Sequence, residues 1–452
     1  MNNLFSRITY HVGALLWLAW PVMLSRAGIL VMALTDIVML GQYGFGAVGI
    51  SNLGISIFVP VLVLAIGLCS GLVPVISTAY GAGAWVECGR SWRRGMMWGL
   101  VLSLIGAWVV AQAHSLLLLF GQTPEMARGG GAVAVALAPG FIAQVLFAVS
   151  AFYLESTGRP RVAMVAMLIA NIVNLALNWV LIYGHLGMPE LGAVGAAIAS
   201  TMARFAAFGL IIAVILTQAD AIAAGVRGPW ETFWGPGGWR AGWEMRRLGF
   251  SAGLSNGFET IGFATMTMLA GLLGGIALDA YSIVHNLMAT VFMIGLGLSI
   301  ATGVRVGTEM GRGRPREAAF AGWTGLGTGV VIMGTIGLLV WVGRFQIEAF
   351  YAVDADVIAH TVMLCGLVAL ILAPDCFQIV MGQAVRALGD AWIPILCYMI
   401  SFAVVLVPMG WIMAISFGFG TQGLLMAILT SCWLASLLLA ARFYVLTRRA
   451  QA

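Results

Sequence analysis

The chain has 452 residues, of which 61% are hydrophobic and only 9% are charged. Soluble domains carry far more charge, so this composition leaves almost no room for a soluble domain and indicates an integral membrane protein in contact with the lipid bilayer. The net charge of +5 would suggest a nucleic-acid partner in a soluble protein, but here the basic residues act as topology signals and no nucleic acid is expected.

Twelve apolar segments of helical length follow one another along the chain. About 20 apolar residues are enough to cross a bilayer as a helix, so each segment predicts one transmembrane helix of an all-α fold. The first segment continues to Leu40 without a small-residue cleavage pattern, which favours a retained helix over a signal peptide. The predicted spans are residues 13–40, 47–77, 95–119, 129–156, 161–183, 191–217, 247–275, 279–308, 318–343, 357–385, 392–416 and 422–446.

The arginines are distributed unevenly between the two ends of these spans. If the amino terminus is inside, only Arg128 and Arg344 lie at outer ends, whereas the other loop arginines, Arg305 and Arg386 included, lie at inner ends. Positive residues stay on the cytoplasmic side, so we expect a multi-pass protein of a bacterial inner membrane with both termini in the cytoplasm. The predicted outer loops carry acidic residues instead, namely Glu125, Glu190, Asp279, Glu348, Asp354 and Asp356.

The two halves of the chain resemble each other. A shift of 230 residues aligns Gly44 with Gly274 and Gly81 with Gly311. Because six spans are an even number, both copies enter the membrane from the same side. This predicts parallel internal repeats, with 12 transmembrane helices in two six-helix bundles around a central cleft. Such an architecture suits alternating access better than a channel or an enzyme.

The boundary between the halves falls in the longest predicted cytoplasmic connection. We predict an N-terminal six-helix bundle at residues 1–217, a linker at 218–246 and a C-terminal six-helix bundle at 247–452. Glycine and proline residues break regular structure in the linker, and its aromatic residues suit the lipid headgroup layer. These aromatic residues are Trp230, Trp234, Trp239 and Trp243.

Two acidic residues lie deep within the predicted spans of the second half. Glu259 is near the middle of the seventh span, where a carboxylate is destabilising by a few kcal/mol and is therefore usually functional. Asp375 is on the tenth span, which runs in the opposite direction. Counted from the inner boundary at about 1.5 Å per residue, both lie roughly 17 Å into the membrane. Two acids at one level could share a proton or a cation; the alternative is that they only join helices by hydrogen bonds.

Polar residues accompany both acids. Asn256 lies one turn from Glu259, and Gln378 lies one turn from Asp375. Pro374 leaves a backbone carbonyl without its helical partner beside Asp375. We therefore predict that Glu259 and Asp375 couple a cation and that Asn256 and Gln378 support them.

A third acid and a row of amides mark the first half. Asn171, Asn174 and Asn178 lie along one side of the fifth span, and Asp36 lies near the outer end of the first. Carboxylate and amide oxygens are ligands that hard cations such as Na⁺ take, so Asp36, Asn174 and Asn178 predict a second cation-coupling site. The alternatives are that the amides only hold helices together and that Asp36 is a helix-end residue in water.

Two arginines within the spans complicate this second site. A mid-span arginine is expected to pair with an acid, and Asp36 is one candidate partner for Arg204. Such pairing would weaken cation binding at Asp36. Arg26, on the first span, raises the same question, so both arginines are candidate charge partners of the predicted site.

Other residues of reactive type have structural interpretations. His285 stands alone on an apolar segment, which favours a packing role. The six cysteines show no CxxC pair and lie mostly in apolar segments, so we expect small apolar residues. No metal is predicted beyond Na⁺ at the coupling site.

Motifs in a defined order connect this chain to a known family. Each is weak alone, but their order, spacing and duplication are specific. They are WPVMLS, TDIVMLGQYG, VPVISTAYGAG, YLESTGRP, NLALNWVLIYG followed by ELGAVG, RLGFSAG, RVGTEMGRG, and APDCFQ with RALGD. In these motifs and over nearly its whole length the chain resembles the multidrug and toxic compound extrusion (MATE) family, in its NorM-like branch.

The resemblance implies a function. It implies two six-helix bundles and export of mainly cationic organic compounds, coupled to entry of Na⁺ or H⁺ and with no other cofactor. The motifs place the family's membrane acids at Asp36, Glu259 and Asp375, and its helix-five amides at Asn174 and Asn178. We expect a monomer. The chain departs from the family pattern in having Arg204, and in Ala280, Tyr281 and Ser282 at the start of the eighth span.

Three alternatives follow from the same sequence. A flippase for lipid-linked oligosaccharides would need basic groups for a pyrophosphate, so it depends on Arg26 and Arg204 both facing the cleft. An intramembrane hydrolase lacks support, because the sequence has no HExxH motif, no GxSxG elbow and no paired metal-ligand spacing. A channel would not need two large repeats in one chain.

Overall fold

The structure, a computed structural model, describes residues 2–44, 46–218, 221, 223, 225–227, 238–346 and 355–451. Nearly all of these residues are helical, and none of them lies in a strand. The predicted all-α class is therefore confirmed. Trp230, Trp234, Glu348 and Asp354 lie outside the described residues, as does the side chain of Asp356.

The described part of the first half contains eight α-helices. They are α1 (Asn2–Tyr43), α2 (Ala47–Cys69), α3 (Leu72–Gly81), α4 (Trp85–Ala111), α5 (Ala113–Leu119), α6 (Pro124–Ser156), α7 (Pro160–Tyr183) and α8 (Gly192–Thr217), with a short 3₁₀ turn at His185–Gly187 after α7.

The second half continues with seven described α-helices. They are α9 (Trp243–Leu272), α10 (Gly275–Gly311), α11 (Pro315–Val342), α12 (Ala355–Ala387), α13 (Trp392–Tyr398), α14 (Val407–Trp411) and α15 (Gly420–Gln451). A 3₁₀ turn at Gly238–Gly242 precedes α9, and π-helical turns at Met399–Leu406 and Ile412–Ser416 follow α13 and α14.

Among the described residues, 11 helical segments are long and apolar enough to cross a membrane. This confirms a multi-pass membrane protein. Of the 12 predicted spans, the one that is not among these 11 segments is the seventh, which forms α9. This helix has 30 residues and is therefore long enough to cross a bilayer. Its hydropathy is lower because it carries Ser255, Asn256 and Glu259. The polar character of α9 thus comes in part from Glu259 and Asn256, two of the predicted site residues.

Proline and glycine residues determine where several helices begin and end. Pro124, Pro160 and Pro315 occupy the first turns of α6, α7 and α11, where a missing N–H has no helical partner to lose. Thr123 caps α6 by accepting a hydrogen bond from the backbone N–H of Met126 at 3.4 Å. These local signals explain why the breaks between spans are short.

Helix packing divides the chain into two compact units. The N-unit is Leu24–Gly253, and the C-unit is Met1–Met23 together with Leu254–Ala452. In the N-unit every residue of α6 from 143 to 156 is buried, with α2, α4 and α8 packed around it. In the C-unit α10 is buried throughout residues 297–309, and α12 packs against α10, α11 and α15.

Helices α7 and α8 approach each other closely at Gly195. A Cβ atom at Gly195 on α8 would contact the backbone oxygen of Leu181 on α7. Replacing Gly195 by Ala should therefore push the two helices apart and destabilise the protein by about 1–3 kcal/mol, the usual cost of overpacking. The matched control is Gly209→Ala on the same helix, where the new methyl group meets nothing within 4 Å.

The measurement is thermal unfolding of the purified variants in detergent. We expect a lower melting temperature for Gly195→Ala than for the unmodified protein, and an unchanged melting temperature for Gly209→Ala. Equal melting temperatures for the two variants would contradict the close packing of α7 on α8.

Candidate functional site

The structure brings Glu259 on α9 and Asp375 on α12 together in the C-unit. Both carboxylates accept a hydrogen bond from Nε2 of Gln378, at 2.8 Å for Glu259 and 3.0 Å for Asp375. Since one nitrogen contacts both, the two carboxylate oxygens lie within about 6 Å of each other, the range in which like charges interact strongly. We call Glu259, Asp375 and Gln378 the acid pair site.

The acid pair site is buried and has few hydrogen-bond donors. Glu259 is 7% exposed, Asp375 is 5% exposed and Gln378 is fully buried. The thiol of Cys432 also contacts the site, with its Sγ 3.9 Å from Asp375 Oδ1. Gln378 Oε1 is buried and accepts no hydrogen bond from the described part of the chain. Two carboxylates therefore share one amide, and an acceptor beside them lacks a partner.

The helices explain how these side chains converge. Asp375 and Gln378 are three residues apart on α12 and therefore share one face of the helix. Ser436 on α15 donates to the carbonyl oxygen of Pro374 at 2.9 Å, which ties α15 to α12 beside the site. Asn256, the other predicted supporting residue, is half-buried and makes no described hydrogen bond to either acid.

A second polar cluster lies in the N-unit around Asp36 on α1. Asn174 and Asn178 on α7 donate from Nδ2 to Asp36 Oδ1, at 3.1 and 2.6 Å. Ser200 on α8 donates to Asp36 Oδ2 at 2.6 Å. We call these four residues the Asp36 site. Asp36 is 8% exposed, and its carboxylate accepts hydrogen bonds from three side chains.

The amides of the Asp36 site also contact each other. Asn178 donates to Asn174 Oδ1 at 3.2 Å, whereas Asn178 Oδ1 is buried and accepts no hydrogen bond from the described residues. Asn171, the third amide of the predicted row, turns away and donates to its own helix at Met167 O, 2.9 Å. The sequence did not indicate Ser200, since a serine among alanines carries no distinct signal.

Arg204 lies one turn after Ser200 on α8. Its guanidinium carbon is 4.7 Å from the centre of the Phe58 ring, and Nη1 is buried with no hydrogen-bond partner among the described residues. No direct ion pair joins it to Asp36 within the described part of the chain, although Asp36 is the charged group with which it interacts. Arg204 is thus a nearby counter-charge rather than a contacting partner.

Arg26 has a different partner. Its Nη2 donates to both oxygens of Glu155 on α6, at 3.1 and 3.2 Å, and both side chains are almost fully buried. The guanidinium also lies 5.3 Å from the centre of the Phe152 ring. Arg26 and Glu155 neutralise each other, so Arg26 is not a counter-charge for Asp36.

The sequence predicts Arg386, near the end of α12, as a loop arginine at the inner end of its span. In the structure this residue of the C-unit is only 5% exposed. Nη1 donates to Gln383 Oε1 at 3.2 Å. A Cβ at Gly382 would lie 3.3 Å from Nη1 of Arg386 and 3.2 Å from the hydroxyl of Tyr398. The guanidinium therefore extends back along α12 toward the acid pair site.

The remaining residues of reactive type behave as structural residues. All six cysteines are free and buried, as expected of small apolar residues, and Cys432 in addition contacts Asp375 through its thiol. His285 packs against the rings of Phe263 and Tyr281, with centroid distances of 5.7 and 5.9 Å. Among the described residues no group of three or more His, Cys, Asp or Glu side chains could hold a metal ion.

Comparisons with known proteins agree with this architecture. The MatE family model matches residues 21–180 and 252–412. The probable multidrug resistance protein NorM of Caulobacter vibrioides is 34% identical over 96% of this chain and 92% of its own, and that of Rhodopseudomonas palustris is 30% identical over 97% and 92%.

Solved structures show the same fold at low sequence identity. The eukaryotic MATE transporter AtDTX14 superposes with a TM-score of 0.89 at 17% identity over 98% of this chain and 99% of its own. The Vibrio cholerae MATE transporter VcmN in the bent form superposes with a TM-score of 0.86 at 17% identity over 99% of both chains. From the family match and the NorM relatives together, the chain belongs to the MatE family, the multidrug and toxic compound extrusion family of membrane transporters rather than enzymes.

Proposed function

We propose that this protein is a secondary active multidrug efflux transporter that exports cationic organic compounds by antiport with Na⁺ or H⁺. The observation that carries the proposal is the acid pair site, where two buried carboxylates share a single amide donor. The names of the NorM relatives, which describe probable multidrug resistance proteins, support the efflux part.

The acid pair site suits a small cation. Uncompensated carboxylates are destabilising in a membrane interior, so a site that holds two of them favours neutralisation by a proton or a metal cation. Na⁺ takes oxygen ligands, and Glu259, Asp375 and the unpartnered Gln378 Oε1 supply oxygens from three side chains. A proton would act more simply, by converting one carboxylate into a hydrogen-bond donor to the other.

Competition between the cation and the drug would couple their movements. A bound Na⁺ or H⁺ neutralises the acid pair and lowers its affinity for a positively charged drug, which is then released outward. For this competition to drive transport, the two ligands must also favour different global states of the protein. The coupling ion is thus proposed to enter the cell as the drug leaves.

The same proposal includes the topology and the domains. The arginine asymmetry supports both termini in the cytoplasm of a bacterial inner membrane. The internal repeat supports two six-helix bundles, residues 1–217 and 247–452, joined by a linker at 218–246. We propose that the transporter acts as a monomer within the lipid bilayer.

The flippase alternative receives no support from Arg26. It requires basic groups that remain available to a pyrophosphate, but Arg26 is neutralised by Glu155 at 3.1 Å. A cation-coupled drug antiporter needs no such group.

Transport by the purified protein in liposomes tests the proposal. Ethidium serves as the organic cation, and Na⁺ and pH gradients are imposed one at a time. We expect ethidium to move in the direction opposite to the flow of either Na⁺ or H⁺ down its gradient. This movement should stop when an ionophore dissipates that ion gradient. Ethidium movement equal to that of protein-free liposomes under both gradients would overturn the proposed function.

A further inference from the structure

A histidine near the start of α1 joins three helices of the C-unit. The ring of His11 is 4% exposed and makes two polar contacts, one with Arg305 on α10 and one with Glu317 on α11. We propose that His11 is a pH-sensitive latch, which fastens the first turns of α1 to α10 and α11 while its imidazole is neutral and releases them when the ring is protonated. With the proposed topology, this latch responds to cytoplasmic pH, whichever ion drives transport.

The contacts determine which ring nitrogen of His11 carries the hydrogen. Arg305 Nη2 donates to His11 Nδ1 at 3.1 Å, and because a guanidinium has no acceptor atom, Nδ1 carries no hydrogen in this arrangement. His11 Nε2 therefore carries it and donates to Glu317 Oε2 at 3.0 Å. The neutral imidazole, with one acceptor and one donor, satisfies both neighbours at once. A second proton on the ring binds at Nδ1 and removes the acceptor of Arg305.

Protonation of His11 also places two cations against each other in a buried position. Arg305 is 9% exposed, and its guanidinium carbon lies 5.5 Å from the centre of the Tyr10 ring. Its Nε is buried without a hydrogen-bond partner among the described residues. Glu309, one turn further along α10, pairs with Arg312 at 2.7 Å. A protonated imidazole within hydrogen-bond distance of Arg305 is therefore repelled by it.

The acid on α11 does not offset this repulsion. Glu317 pairs with Arg7 at 2.7 Å, and its side chain is 33% exposed, so water weakens its attraction for a protonated His11. The repulsion between His11 and Arg305 acts between buried groups and is screened much less. Protonation therefore favours separation of the start of α1 from α10.

The first turns of α1 have few other contacts that would hold them in place. Residues 6–10 are all exposed, and from residue 6 onward His11 is the first buried side chain of the helix. Its ring packs edge-on against Phe320 of α11, with a centroid distance of 5.1 Å. A segment that buries little apolar surface opens locally at low cost in free energy. The contacts of His11 are therefore expected to determine how often these turns open.

The corresponding helix start in the N-unit is held in a different way. The 230-residue shift aligns α1 with α9, and a Cβ at Gly249 of α9 would contact the backbone oxygen of Leu68. Close backbone packing of this kind does not depend on pH. Glu87, the repeat counterpart of Glu317, pairs with Arg94 of its own helix α4 at 2.6 Å. The histidine contact is therefore specific to α1.

Amide hydrogen exchange of the purified protein in detergent micelles tests the latch. The readout is the protection factor of residues 6–12, the ratio of intrinsic to measured exchange rates, which corrects for the pH dependence of the exchange chemistry. Histidine changes its charge between about pH 5 and pH 8. We expect protection to fall about tenfold over this range as pH decreases, the effect of losing one hydrogen bond to a charged group. Equal protection factors at the two pH values would overturn the proposal.

Variants assign the effect to His11. Gln keeps one acceptor and one donor at every pH, so His11→Gln should stay protected at both pH values. Arg is always charged, so His11→Arg should show the low protection at both. His185→Gln, at a half-buried position after α7, is the control and should keep the full pH dependence.

The glutamine variant provides the second decisive outcome. A pH dependence that persists in His11→Gln would overturn the proposal, because the effect would then belong to another group. If His11→Gln does not fold, Arg305→Gln takes its place. Its side-chain oxygen can accept from the protonated ring, so the pH dependence should be lost there too, and its persistence would be equally contradictory.

Discussion

Replacing Glu259 by Gln should lower gradient-driven ethidium transport in liposomes about 100-fold, which is near the upper end of the usual range of coupling free energies. Gln has nearly the same size and can keep a hydrogen bond to Gln378, so the fold should be preserved. The Gln side chain has no negative charge to attract a cation, however. The site then holds one carboxylate instead of two. Asp375→Asn should have the same effect for the same reason.

A matched control distinguishes this effect from a general loss of acidic charge. Glu125→Gln removes a carboxylate from an exposed position in the first turn of α6 and should leave the rate near that of the unmodified protein. Initial rates are compared at equal amounts of reconstituted protein. Unchanged transport in both Glu259→Gln and Asp375→Asn would show that the acid pair does not couple the ion.

Replacing Arg26 by Met should destabilise the protein by about 3–5 kcal/mol, the cost of leaving a buried carboxylate without its partner. Glu155 is 1% exposed and accepts two hydrogen bonds from Arg26, so the variant leaves a buried carboxylate without these two bonds. The double variant Arg26→Met with Glu155→Leu removes both charges and fills similar volumes. It should recover most of the lost stability.

The measurement is the free energy of unfolding of each variant from a reversible denaturant titration in detergent micelles. Arg90→Met is the control, because its pair with Glu87 has an N–O distance of 3.7 Å and both side chains are about a third exposed or more. Exposed pairs contribute at most about 1 kcal/mol. If the double variant is as unstable as Arg26→Met alone, the loss comes from packing rather than from an unpaired charge.

Much of the fold follows from the sequence because the bilayer limits the solutions. A spanning segment must satisfy its backbone hydrogen bonds internally, so long apolar runs in this chain can only be helices. The residues at which the helices begin and end are less predictable. The span predicted at 13–40 becomes α1 from Asn2 to Tyr43, because the helix continues through residues before the apolar run, of which 6–10 are exposed. The π-helical turns at Met399–Leu406 have no signal in composition or periodicity.

Part of the candidate site was also predictable. Glu259 and Asp375 could be matched because membrane depth is a one-dimensional coordinate that can be counted along each helix. Gln378 followed from its position one turn from Asp375. Whether Glu259, Asp375 and Asp36 bind a cation stays a prediction.

Side-chain contacts between residues far apart in the sequence could not be predicted. Arg26 and Glu155 are 129 residues apart, and nothing in either helix indicates the other. Arg386 has the sequence position of a topology signal, and only the packing of α12 shows that its side chain is buried and extends toward the acids. Both cases depend on side-chain direction within packed helices, which sequence spacing does not specify.

The central claim is that the coupling ion, Na⁺ or H⁺, competes with the organic cation at the acid pair site. The most direct test is the equilibrium binding of ethidium to the purified protein at increasing Na⁺ concentration and, separately, at decreasing pH. The proposed competition predicts that the Kd of ethidium rises about tenfold for each tenfold increase of the coupling ion once that ion saturates its site. It also predicts that this dependence is lost in a Glu259→Gln, Asp375→Asn double variant. An ethidium Kd that is independent of both Na⁺ and pH, or one that keeps the same dependence in the double variant, would contradict it.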